Sequence, residues 1–177
     1  MPISLPRAAL ALGLLLTPAA LMAQEADKPA PAAELKTTTH GAWTVVCSTD
    51  AKARCVMEQI GKTAEGQDIL MARLQHVPPQ DSPEGTIDTV ISVQVPLGVM
   101  LQAGLALQID SGKASAVGYT RCSQDGCFMQ SPLPGAMVAA MKKGVNAKFS
   151  MVLPPNKRVD STLSLSGFTA AYNALSK

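Results

Sequence analysis

Hydrophobic and polar positions alternate with a period of two through much of this chain, the pattern of strands that bury one face and wet the other. From Ile87 to Val95 the odd positions Ile87, Thr89, Ile91, Val93 and Val95 form a β-favouring face, with Asp88, Ser92 and Gln94 opposite. Leu105, Leu107 and Ile109 repeat this against Ala106, Gln108 and Asp110. Ala147, Phe149, Met151 and Leu153 alternate with Lys148, Ser150 and Val152, and Val159, Leu163 and Leu165 with Asp160, Thr162 and Ser164. Leu70, Ala72 and Leu74 make a shorter run, and Trp43 to Cys47 and Cys55 to Ile60 read as two further strands. One buried face per strand predicts antiparallel rather than parallel sheet.

The breaks fit the same reading. Pro96-Leu97-Gly98 interrupts a ladder because proline has no N–H to donate. Ser111-Gly112-Lys113 suits a hairpin, Pro154-Pro155-Asn156 a turn, and the polar, proline-rich run from Pro78 to Gly85 a crossing loop. Two segments change period. Pro134 to Lys143 places Met137 and Met141 four apart, with lysines in its last turn and Gly144 just beyond, which are helix stop signals. Phe168, Ala171, Tyr172 and Leu175 form one apolar helical stripe. The expected fold is mainly β: an antiparallel, β-sandwich-like domain with two short edge helices, one before and one after the last strands.

Four cysteines fall in two close pairs, Cys47 with Cys55 and Cys122 with Cys127. Four cysteines allow three connectivities. Pairing of neighbours, Cys47–Cys55 and Cys122–Cys127, is favoured because two strands joined by a polar loop bring their cysteines opposite each other, within the short Cα separation a disulfide needs. A redox-active pair would call for Cys-x-x-Cys at a helix start, and a four-thiolate zinc site for shorter spacings, so structural crosslinks are expected.

Crosslinks imply an oxidising compartment, and the N-terminus agrees. Arg7, the apolar stretch Ala8 to Leu16, Pro18 and then Leu21-Met22-Ala23 before Gln24 read as a signal peptide over residues 1–23, with cleavage after Ala20 the alternative. Residues 24–39, rich in Ala, Pro and charge, are expected to be a flexible leader, and residues 40–177 a single disulfide-stapled domain. The expected location is the periplasm, with no transmembrane segment once the signal is removed.

Composition narrows the chemistry. The chain has 177 residues, 47% hydrophobic, 3% aromatic and 16% charged, with a net charge of +2, which argues against disorder and against a nucleic-acid partner. From Pro134 onward Lys142, Lys143, Lys148, Lys157, Arg158 and Lys177 face one acid, Asp160, so this third carries +5. Lys142, Lys143, Lys148, Lys157 and Arg158 are thus a candidate patch for an anionic partner, a phosphate-bearing glycolipid or an acidic protein. The methionines Met57, Met71, Met100, Met129, Met137, Met141 and Met151 could serve a copper carrier, but core filling in an aromatic-poor chain is the simpler role. His40 and His76 lack ligand spacing and are expected at the solvent. With no nucleophile elbow, zinc-protease motif or phosphate loop, no catalytic residue, metal or cofactor is expected. The competing reading is an envelope enzyme, either a thiol oxidoreductase using Cys122 and Cys127 or a hydrolase without a recognisable motif.

An ordered set of residues adds a family. Gly41-Ala42-Trp43-Thr44-Val45-Val46-Cys47 with Cys55, Val95-Pro96-Leu97-Gly98-Val99 followed by Leu101, Gly104 and Leu105, then Cys122-Ser123-Gln124-Asp125-Gly126-Cys127 and Leu163-Ser164-Leu165-Ser166-Gly167-Phe168-Thr169-Ala170-Ala171, together resemble the invasion-associated locus B family of exported bacterial proteins. The resemblance covers nearly all of residues 40–177. It implies a periplasmic or envelope-associated, β-sandwich-like protein and brings no catalytic residues to carry over; the expected partner is an envelope or host protein, or an anionic glycolipid.

Overall fold

The structure is a computed structural model that describes residues 34–49, 54–83 and 85–175. The expected signal peptide and all but the end of the expected leader lie outside the described residues. Among the described residues eleven strands form one antiparallel sheet: β1 (Leu35–His40), β2 (Trp43–Ser48), β3 (Cys55–Lys62), β4 (Asp68–Gln80), β5 (Ile87–Val95), β6 (Leu105–Ile109), β7 (Ser115–Val117), β8 (Arg121–Ser123), β9 (Gly126–Pro132), β10 (Asn146–Leu153) and β11 (Lys157–Ser164). Helix α1 (Gly135–Lys143) precedes the last two strands and α2 (Phe168–Ala174) follows them, as the change of period predicts.

The strand order is β7-β6-β10-β11-β3-β4-β5-β9-β8, with β1 joined through β2 to β3. The sheet forks at β3. One edge of β3 is held by β4, while the other takes β2 along Cys55–Glu58 and touches β11 only at Lys62. Gln59 closes the fork: its side-chain amide donates to Ser164 O at 2.9 Å, and its carbonyl accepts from Ser164 N at 2.8 Å. The indole N–H of Trp43 also donates to the backbone carbonyl of Ser164, at 3.0 Å. The two limbs curl over a shared core in which Trp43, Met57, Leu74, Ile91, Leu105, Phe149, Leu163 and Phe168 are fully buried. All but Phe168, which belongs to α2, lie on strands, so the buried stripe of one strand meets another across the curl.

Helix α2 packs on β1, β2, β3 and α1. It does so through Phe168, edge-on to Trp43 at 5.4 Å. Its approach depends on two glycines. Gly167, left-handed at φ 81, precedes the helix, and a Cβ there would lie 2.1 Å from His40 O. Gly41, at φ 60 in the two-residue β1–β2 turn, faces Ser166 O, where a Cβ would lie 2.6 Å away.

Two expectations are corrected. The folded chain starts before residue 40, because Leu35–His40 pairs with β2 along its whole length. Its side chains are mostly exposed and show no periodic burial, so β-branched threonines and ladder hydrogen bonds make this strand, and no apolar pattern announces it. The run from Pro78 to Gly85 is not a crossing loop: β4 continues to Gln80 and turns directly into its neighbour β5. The register shifts between His76 and Gln80, so Pro78 and Pro79 sit where the ladder asks for no N–H.

Candidate functional site

Outward-facing side chains of β3, β4, β5 and β9 stand in register and line a groove of about 800 Å³. One polar row crosses the sheet: Glu58 opposes Arg73, Arg73 opposes Ser92, and Ser92 opposes Gln130. Leu35 and Thr37 of β1 line one side of the groove, and Thr120 and Arg121 at β8 the other. Three arginines line it. Arg73 is bound to Glu58 at 2.9 Å. Arg121 lies over the ring of Phe128 at 4.1 Å, a cation–π contact that leaves its charge uncompensated. Arg54 is the third; its backbone carbonyl accepts from Ser48 N, and its own N–H donates to Ser48 Oγ. Among the described residues no carboxylate pairs with Arg54 or Arg121, so the groove carries a positive excess.

No signal along the chain pointed to this site. Its arginines belong to the part of the sequence with more acids than bases, and strand pairing alone brings them together. The lysine-rich third is instead distributed. Lys142 lies over the Tyr172 ring at 4.2 Å. Lys143 lines a shallow groove beside Ile109 and Lys113. Lys148 lies in a neighbouring one with Asp110 and Thr162. Lys157 and Arg158 sit at the far end of the β10–β11 hairpin beside Glu65. Lys148 and Lys157 pair with Thr162 and Leu153 respectively, which separates them by about 16 Å along the strands. Arg158 is engaged locally, with Nε on Asp160 at 2.8 Å and Nη2 on Ser150 Oγ at 2.7 Å. Burial opposes ionisation of Asp160, but hydrogen bonds from Arg158 and Ser150 and the charges of Arg158 and Lys148 outweigh it and hold the carboxyl below its ordinary range.

Cys47 is bonded to Cys55 and Cys122 to Cys127, each pair directly opposed across antiparallel strands with Cα atoms 4.0 Å apart. Met57, Met129, Met141 and Met151 are fully buried on β3, β9, α1 and β10, where they fill the core. His76 is not solvent-exposed as expected: it is half-buried, and its ring packs edge-on against Tyr172 at 4.9 Å. Tyr172 belongs to a buried polar chain. Thr89 Oγ1 donates to Asp88 Oδ1 at 2.8 Å, so its single proton is committed and the Tyr172 hydroxyl is the donor in their 2.6 Å contact. Burial, reinforced by Asp88 and only partly opposed by the Thr89 bond, raises the Tyr172 pKa and keeps the phenol protonated. This chain ties β5 to α2 and has no accessible nucleophile, since Thr89 is fully buried.

The sequence model of the family described as Invasion associated locus B (IalB) protein matches residues 43–176. The chain belongs to this family. Invasion protein B homologues of Brucella abortus strain 2308 and of Brucella abortus biovar 1 strain 9-941 are each 32% identical over 158 residues, covering 88% of this chain and 87% of the relative. The crystal structure of invasion associated protein B from Bartonella henselae superposes with a TM-score of 0.62 at 24% identity, over 79% of this chain and 95% of that one, and shares its fold. The residues quoted for the family resemblance now have places. Trp43 and Phe168 form the contact between β2 and α2, Gly41 and Gly167 permit it, and the cysteines staple β2 to β3 and β8 to β9. Those residues of the invasion-associated locus B pattern build the scaffold, and the arginine groove lies on its other face.

Proposed function

We propose that this invasion-associated locus B protein is an exported, non-enzymatic binding protein of the periplasm or cell envelope, and that it engages its partner through the arginine groove on the outer sheet face. The observation that carries this reading is the groove itself: a concave, mixed polar and apolar surface on a rigid sheet, with two arginines that no carboxylate among the described residues pairs with. Such a surface supplies shape and charge for recognition. The signal segment and the paired cysteines support export, and kinship to Brucella proteins named for invasion supports a role at the bacterial surface or toward a host.

Site-specific photo-crosslinking in intact cells tests this. A crosslinker at Gln75, inside the groove, is expected to give a discrete adduct, and one at Thr162, on the other limb of the sheet, none. Equal labelling from both positions would reject the groove. Turnover of an envelope substrate by the purified protein would reject the non-enzymatic reading, whether or not Ser92→Trp abolishes it.

A further inference from the structure

Strand β1 is an open edge: it pairs with β2 on one side, and among the described residues nothing pairs with the other. The orientation of its backbone follows from the ladder. Thr49 N donates to Glu34 O, and register alternates from there, so Lys36, Thr38 and His40 exchange hydrogen bonds with β2. The N–H and C=O groups of Leu35, Thr37 and Thr39 therefore point off the sheet. This edge is six residues long with no proline and no bulge, whereas β7 and β8, at the two ends of the strand path, are three residues each. It lacks most of the devices that protect an open edge from pairing. Leu35 and Thr37, which present those backbone groups, also line the arginine groove.

Resting on the groove reading above, we infer that the partner is a polypeptide carrying an extended acidic segment, which adds to the sheet as a strand along β1 and directs alternate side chains into the groove. Backbone pairing with Leu35, Thr37 and Thr39 supplies affinity, and the alternation of a strand turns every second side chain toward the arginine face. Carboxylates at those positions face Arg54 on the near side of the groove and are drawn by the field of Arg121 across it, two arginines with no acidic partner among the described residues, while Val46 and Val56 accept apolar neighbours. An acidic polysaccharide is the weaker match. The Phe128 ring, the aromatic surface on which a sugar would stack, already carries Arg121 at 4.1 Å, and a sugar chain has no use for the open backbone groups.

The test uses the full exported protein and a fluorescein-labelled peptide of alternating glutamate and valine, matched in length to β1, with a lysine–valine counterpart. The acidic peptide is expected to bind and the basic one not, and binding should weaken as salt is raised. Arg54→Glu with Arg121→Glu should weaken it about tenfold or more. Thr37→Pro should do the same while leaving the melting temperature within a few degrees, because the N–H it removes faces away from β2. Wild-type binding with no preference for the acidic peptide overturns the inference, as does binding unchanged by Thr37→Pro. Tighter binding of a heparin fragment than of the peptide overturns the choice of polypeptide. A dimer in sedimentation that Thr37→Pro abolishes and the peptide does not displace reassigns the edge to a second copy. If the groove crosslink from Gln75 persists while the peptide fails to bind, this inference falls and the groove reading stands.

Discussion

Thr89 and Ser161 are both fully buried hydroxyl residues, and their environments give opposite expectations for the same kind of change. Thr89 accepts from Tyr172 and donates to Asp88, whereas Ser161 Oγ has no hydrogen-bond partner among the described residues. Thr89→Val should therefore destabilise the protein by about 1–3 kcal/mol, because it removes the hydroxyl that bridges Tyr172 to Asp88 and leaves the buried Tyr172 hydroxyl only its long 3.4 Å contact with Asp88. Ser161→Ala removes an unpaired buried group and should leave stability unchanged or raise it by up to about 1 kcal/mol. Urea denaturation of the two variants checks both signs. Asp160 offers a pH test. Its folded pKa lies below the ordinary 3.8, so its ion pair stabilises above that value and the contribution is lost as pH falls through the lowered one. The pair is well exposed, so Asp160→Asn should cost only some tenths of a kcal/mol up to about 1 at neutral pH. That difference should vanish in acid, as melts at descending pH would show.

At the scale of elements, the junction of the β1–β2 turn with the start of α2 is the most sensitive point. Gly167→Ala would place a methyl group 2.1 Å from His40 O and force a left-handed backbone on alanine, so α2 must lift from β2. The expected loss is about 2 kcal/mol or more, with the signal of Trp43, which packs against Phe168, changing in the folded baseline. Fluorescence-detected unfolding measures both. Most elements were legible from local pattern. The strand Ile87–Val95 and the start of α2 at Phe168 fall where the alternation and the apolar stripe place them, because burial repeats with the period of the backbone. Strand β1 was not legible, since its hydrogen bonds hold it and its side chains bury little.

For the whole molecule, the disulfides tie β2 to β3 at the fork and the end strand β8 to β9. Each closes a short loop and is worth about 2–3 kcal/mol in the chain-entropy model. Together they form a large share of the roughly 5–15 kcal/mol that separates a typical folded domain from its unfolded chain. Reduction should lower the melting temperature markedly, and Cys47→Ser with Cys55→Ser should do so in part; thermal melts with and without reductant give the comparison. A protein stapled in this way depends on an oxidising compartment to keep its groove in shape.

What this sequence determined by itself is local: which faces of the strands are buried, where two helices interrupt them, and that each cysteine has its partner a few residues away. Those features depend on interactions between near neighbours, which a period or a spacing encodes directly. Tertiary structure alone decided the fork at β3, the chain from Tyr172 through Thr89 to Asp88, and the meeting of Arg54, Arg73 and Arg121 in one groove. Each of these joins residues from distant stretches of the chain. Their proximity is set by which strands pair, a choice made by the packing of the whole core and carried by no single segment.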